Sequence, residues 1–133
     1  MIRIYKILTI LIILFSIPAN ASNDINRILS LVDYIGGDYK NAVKNGRTIN
    51  KEEYQEMTDF SSTILNLWNN SSQVSEHSAN FKNKFLLLQS KINSKDSVKE
   101  VELLTSNIKE SLISEFGLKP YPKNPPDISK GKL

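Results

Sequence analysis

The residues best suited to chemistry are carboxylates interleaved with phenols: Asp33-Tyr34, Asp38-Tyr39, Glu53-Tyr54, Glu56 and Asp59, with Glu52 beside them. Carboxylates are hard oxygen ligands, so Asp33, Asp38, Glu53 and Glu56 are the candidate ligands for a ferric or divalent cation, with phenolate support. Tyr34, Tyr39 and Tyr54 are the candidate partner-binding residues. Glu53 and Glu56, three apart, share a helix face. Asp33 and Asp38, five apart, stand about 140° from each other on a straight helix and converge only if Gly36-Gly37 distorts the backbone. The plainer reading is a solvated face whose first-turn acids complement a helix dipole. Carboxylates that hold a metal usually need a buried second shell to orient them.

Other chemistries find little to use. The serines are numerous, but none sits in a nucleophile elbow, and His77 is the one histidine available as a base. His77 follows Glu76 directly and lacks the Glu-x-x-His spacing of carboxylate-bridged metal bundles, so it reads as a surface side chain. No glycine-rich phosphate loop occurs. The chain has no cysteine, which removes covalent c-type haem, thiolate metal sites and cysteine nucleophiles. The expectation is a protein with no catalytic residue, no haem ligand and no covalently bound cofactor, with iron as the candidate ligand.

The elements that must position these groups are helices. Ile25, Ile28, Leu29, Val32, Ile35, Tyr39, Ala42 and Val43 recur at three- and four-residue steps, with Asp24 as N-cap and Asn45-Gly46 as the stop. Gly36-Gly37 interrupts this pattern at a cost of about 1 kcal/mol per glycine; either the helix bends there or another backbone comes close. Arg47-Thr48-Ile49 is an extended connector. Asn50 with Glu53 resembles a capping box and opens a second helix with Tyr54, Met57, Phe60, Ile64, Leu67 and Trp68 on one face. Trp68 is expected in the core at the bundle's end, with a haem or substrate platform as the alternative. A third helix, 78–94, aligns Phe81, Phe85, Leu88 and Ile92. A fourth opens at Asp96-Ser97, aligns Val101, Leu104, Ile108, Leu112 and Phe116, and ends at Gly117. Four amphipathic helices with short connectors predict an all-α, up-and-down four-helix bundle. Lys119 to Leu133, with four prolines, predicts an extended proline-rich C-terminal tail.

The N-terminus reads as an address. Arg3 and Lys6 precede an apolar run from Ile7 to Ile17, and Ala19-Asn20-Ala21 offers a cleavage site before Ser22. The alternative is an uncleaved anchor, although the run is well short of the roughly 20 residues that span a bilayer. The expected organisation is a signal peptide over 1–21, a helical bundle domain over 22–117 and a Pro/Lys-rich linker or tail over 118–133. The formal charge of +3 falls with the signal, and the rest divides into a slightly acidic body and a basic tail. That pattern lacks the dense basic face of a nucleic-acid binder. Contact with a membrane is expected only through a partner or an uncleaved signal.

The run Leu31-Val32-Asp33-Tyr34-Ile35-Gly36-Gly37-Asp38-Tyr39, then Ala42-Val43, Asn45-Gly46 and Glu53-Tyr54-Gln55-Glu56-Met57-Thr58-Asp59-Phe60, resembles the N-terminal periplasmic helical region of bacterial high-affinity iron permeases of the oxidase-dependent iron transporter family. Pro125-Pro126-Asp127-Ile128-Ser129-Lys130-Gly131 looks like the linker that enters a cytochrome c domain in many members. The likeness spans roughly residues 27–131. Members continue into a Cys-x-x-Cys-His haem site and a membrane permease with Arg-Glu-Gly-x-Glu motifs. This sequence ends before either, so no haem ligand and no translocating residue carries over to any position. The resemblance implies a periplasmic accessory or interaction domain of an iron-uptake system, near the inner membrane, docking on a c-type cytochrome or an iron permease. The alternative is a free-standing periplasmic protein that binds ferric or divalent cations.

Overall fold

The computed structural model describes residues 20–71 and 78–119. Helix α1 (Asn20–Ala42) leads through two short strands, β1 (Val43–Lys44) and β2 (Arg47–Thr48), into α2 (Lys51–Asn70); α3 (Ser78–Asn93) and α4 (Val98–Phe116) complete a four-helix bundle. Helix α1 packs on α2 and α4, and α3 closes the ring between them. Successive contacts run antiparallel. Gly36 meets Thr105 and Asp33 meets Lys109 across α1 and α4, while Gln89 reaches Ser62 and Lys84 reaches Ser111 across the other seams. The start of α1 and the end of α4 therefore share one pole, and the β1–β2 hairpin and the α3–α4 turn share the other.

The core follows the predicted stripes closely. Ile28, Val32, Ile35 and Tyr39 of α1, Met57, Ile64 and Trp68 of α2, Phe81, Phe85, Leu88 and Ile92 of α3, and Ile108 and Leu112 of α4 are buried. Trp68 sits among Phe81, Phe85 and Phe116, with ring centroids 5.2, 5.4 and 6.3 Å away, as a packed core residue. Three expected core positions are corrected. Tyr54, Phe60 and Leu104 are only half-buried, because small hydroxyl residues take the inward positions next to two of them. On α2 the buried row is Met57, Ser61, Ile64, Trp68, and on α4 it is Val101, Thr105, Ile108, Leu112. Ser61 and Thr105 each turn the hydroxyl back to a carbonyl of their own helix, Thr58 and Val101 respectively, so neither arrives as an unsatisfied polar group.

Helix ends show where local chemistry decides. Helix α1 stops at Ala42, before the expected Val43. Asn45 and Gly46 both adopt positive φ, 50° and 71°, and this two-residue turn pairs Val43 with Thr48 and Lys44 with Arg47. An Asn-Gly pair, free to adopt positive φ at both positions, favours that turn over another helical step. Asn50 caps α2 by accepting from the Glu53 N–H at 3.1 Å. Ser97 does the same for α4 from Glu100 at 3.3 Å. Gly117, at φ 61°, closes α4 as expected, with its N–H on the Ile113 carbonyl. Asp24 is not the N-cap of α1, because the helix already begins at Asn20. The signal-peptide and proline-tail expectations fall mainly on 1–19 and 120–133, and His77 in the α2–α3 connection, all outside the described residues.

Candidate functional site

Tyr34 and Asp38 are one turn apart on α1, facing Glu53 and Glu56 of α2. The Tyr34 ring stands edge-on to Phe60 with centroids 5.1 Å apart and planes at 86°, yet 42% of the residue remains exposed. Its phenol is raised above the ordinary tyrosine range. The Asp38 carboxylate is the main cause, followed by partial desolvation, the charges of Glu56 and Glu53, and a hydrogen bond to Asp38. Tyr34 is therefore a neutral donor at neutral pH, set in a negative field. Asn41 donates to Asp38 at 3.3 Å, and one Glu53 oxygen, Oε2, is buried without a donor. No lysine or arginine among the described residues forms an ion pair with Asp38, Glu53 or Glu56. By contrast, Lys91 pairs with Asp96 and Glu100, and Lys109 with Asp33.

The four carboxylates singled out from the sequence do not form one ligand set. Helix α1 runs unbroken through Gly36-Gly37, so the five-residue step sends Asp33 to the α4 seam and leaves Asp38 on the α2 side. Among the described residues, no three acidic or histidine side chains are grouped to hold a metal ion. Asp38, Glu53 and Glu56 surround Tyr34; Asp33 is committed to Lys109.

The tyrosines separate for the same reason. Tyr39, five residues after Tyr34, is wholly buried, and its O–H donates to the Asp96 carbonyl at 2.7 Å. Burial, then the Asp96 charge and Tyr54, push its phenol to about 12. Tyr54 donates to the Ile92 carbonyl at 3.1 Å, with the Lys95 ammonium 5.3 Å from its ring centroid. Both phenols pin the α3–α4 turn to the first helical pair. Of the candidate partner-binding residues, Tyr39 and Tyr54 direct their hydroxyls inside the fold. Tyr34 alone of the three keeps an exposed ring.

Sequence reasoning missed what lies behind this face. Asp33, Gly36, Gly37, Glu102 and Lys109 line an open groove of about 390 Å³ between α1 and α4. The glycine pair was visible as an anomaly; the identity of its neighbour was not.

These features define an all-α bundle module with an exposed aromatic–acidic face. The chain belongs to the iron permease-associated 4-helix bundle domain family, which it matches over residues 18–119. No curated protein and no solved structure matches it.

Proposed function

We propose that this chain is an exported, non-enzymatic accessory module of an iron-uptake system, docking through its Tyr34 face on an iron permease or c-type cytochrome of the bacterial envelope. Family membership supplies the association with iron permeases. The observation that carries the docking surface is the exposed Tyr34 ring among Asp38, Glu53 and Glu56, three carboxylates that form no ion pair among the described residues. A rigid aromatic held by Phe60 and rimmed by unneutralised charge suits a lysine or arginine of a partner protein. Cross-linking in intact envelopes, with the photoreactive group at Glu56, should recover a permease or a c-type cytochrome. Tyr34→Ala and Asp38→Asn should each weaken that product. Recovery of neither partner, with the module present at native levels, refutes the docking reading.

A second reading, a free-standing cation carrier, draws on one observation: the buried Glu53 oxygen lacks a donor. In that reading Asp38, Glu53 and Glu56, with Tyr34 as phenolate, take ferric iron as cargo. Titration with ferric citrate should then produce a phenolate charge-transfer band and raise the thermal midpoint, because a ligand that binds only the folded state stabilises it. A titration with neither response removes this reading.

A further inference from the structure

We infer that the hairpin pole of the bundle is a surface for anionic lipid. The inference goes beyond the docking role proposed for Tyr34, and beyond the expectation that membrane contact comes only through a partner or an uncleaved signal.

Charge is distributed unevenly along the molecule. Residues 40–52 and 91–100, which form this pole, hold seven lysines and arginines and three carboxylates. Two of those carboxylates, Asp96 and Glu100, are occupied by Lys91. The third, Glu52, lies among Lys40, Lys44, Arg47, Lys51 and Lys99, all five exposed, and the half-buried Asp38 and Glu53 border the pole without reversing its sign. The pole is therefore a net cationic cap on a body that is otherwise acidic.

Ile49, between Arg47 and Lys51 in the chain, is 55% exposed. Its exposure is built into the backbone. The Ile49 N–H donates to the Ala42 carbonyl at 2.8 Å, and Asn50, the next residue, is fixed as the cap of α2. The side chain cannot fold inward without breaking the junction between the hairpin and α2.

An apolar side chain ringed by cations is the composition that holds a protein at an anionic bilayer surface: the isoleucine enters the headgroup boundary while lysines and arginines stay at the phosphate level. The alternative occupant is an acidic protein. The pole does not favour it, because the cations are spread over four elements, the end of α1, the hairpin, the start of α2 and the start of α4, rather than gathered on one. A planar, diffuse array of charge matches that layout. The described ends of the chain, at Asn20 and Lys119, lie at the opposite end of the bundle.

The test is co-sedimentation of the full chain with vesicles of phosphatidylcholine alone or with about a third replaced by phosphatidylglycerol. The neutral vesicles register any binding by the apolar N-terminal segment, so the anionic-to-neutral ratio reports the pole. The expected ratio is roughly tenfold or more at low salt, collapsing at high salt. Each cation at such a surface is worth about fivefold in affinity, so Lys44→Glu with Arg47→Glu should cut anionic binding by roughly 25-fold or more. Ile49→Ser should cost about tenfold and, being an exposed change, reads out even if the double reversal fails to fold. Lys82→Glu with Lys119→Glu alters net charge equally, away from the pole, and should leave the ratio within about twofold. Equal binding to both vesicles, or an equal loss in the Lys82/Lys119 variant, overturns the inference. So does retention of poly-glutamate as tightly as anionic vesicles with the same dependence on Lys44 and Arg47, which would assign the pole to an acidic protein. None of these changes touches Tyr34, so failure here leaves the docking reading standing, and the reverse.

Discussion

Gly36 and Thr105 meet so closely across α1 and α4 that a β-carbon on Gly36 would lie 2.6 Å from the threonine Oγ1 and 3.2 Å from its Cβ. The neighbouring Gly37 has nothing within 4 Å of the same position. Thr105 cannot swing away cheaply, because its hydroxyl is held by the Val101 carbonyl at 2.9 Å and its branched side chain has few rotamers in a helix. Gly36→Ala should therefore destabilise the bundle by about 1–2 kcal/mol despite the gain in helix propensity. Gly37→Ala should stabilise it by about 0.5–1 kcal/mol. Urea midpoints for the two single variants check the opposite signs.

Leu112 is fully buried, whereas Leu104 packs against the core with part of its surface left exposed. Leu112→Ala should cost about 2–5 kcal/mol and Leu104→Ala distinctly less, on the order of 1 kcal/mol. Thermal denaturation of the pair checks the ranking. Equal losses would mean that Leu104 carries core load its exposure does not show.

Tyr39 links stability to pH at the alkaline end. Its folded value of about 12 lies above the ordinary phenol value of about 10, so the neutral form is the one the fold favours. This contribution is fully present below about pH 10 and is lost as pH rises toward 12, because the unfolded chain releases the proton first. Tyr39→Phe should remove that slope, and at neutral pH should cost about 1–2 kcal/mol by leaving the Asp96 carbonyl without its donor. The difference between wild-type and variant stabilities from pH 8 to 12 isolates the effect from the lysines that titrate in the same range.

Asp33→Asn should change stability by less than about 1 kcal/mol, since the Lys109 pair it breaks is half-exposed. It should leave any iron response at Tyr34 unaltered. A lost iron response in this variant would place Asp33 among the ligands, against its position on the α4 seam.

The helical architecture was legible because large apolar residues repeat at helical steps, and three of the boundaries because Asn50, Ser97 and Gly117 have local chemistry that ends or begins a helix. The small residues of the interior were not legible. Ser61 and Thr105 look polar in a sequence, and their hydroxyls satisfy themselves on their own helix, so the apolar periodicity runs through the adjacent Phe60 and Leu104 instead. At the site, the adjacency of Asp-Tyr pairs suggested one cluster, while the five-residue step between them divides the pairs between two seams. Only the contact of α1 with α4 shows which acid each seam takes, and that partner, Lys109, lies 76 residues away in sequence.

Because α1 enters and α4 leaves at one pole, tension between the flanking segments would pull those two helices apart from their shared end. In that geometry contacts break one turn after another as α1 peels from α4, with Ile25, Ile28 and Leu29 losing cover before the Gly36–Thr105 crossing. A bundle whose ends emerged at opposite poles would instead resist by shearing whole helices at once. This module is therefore built to yield gradually under load, and its hairpin pole would be the last part to come undone.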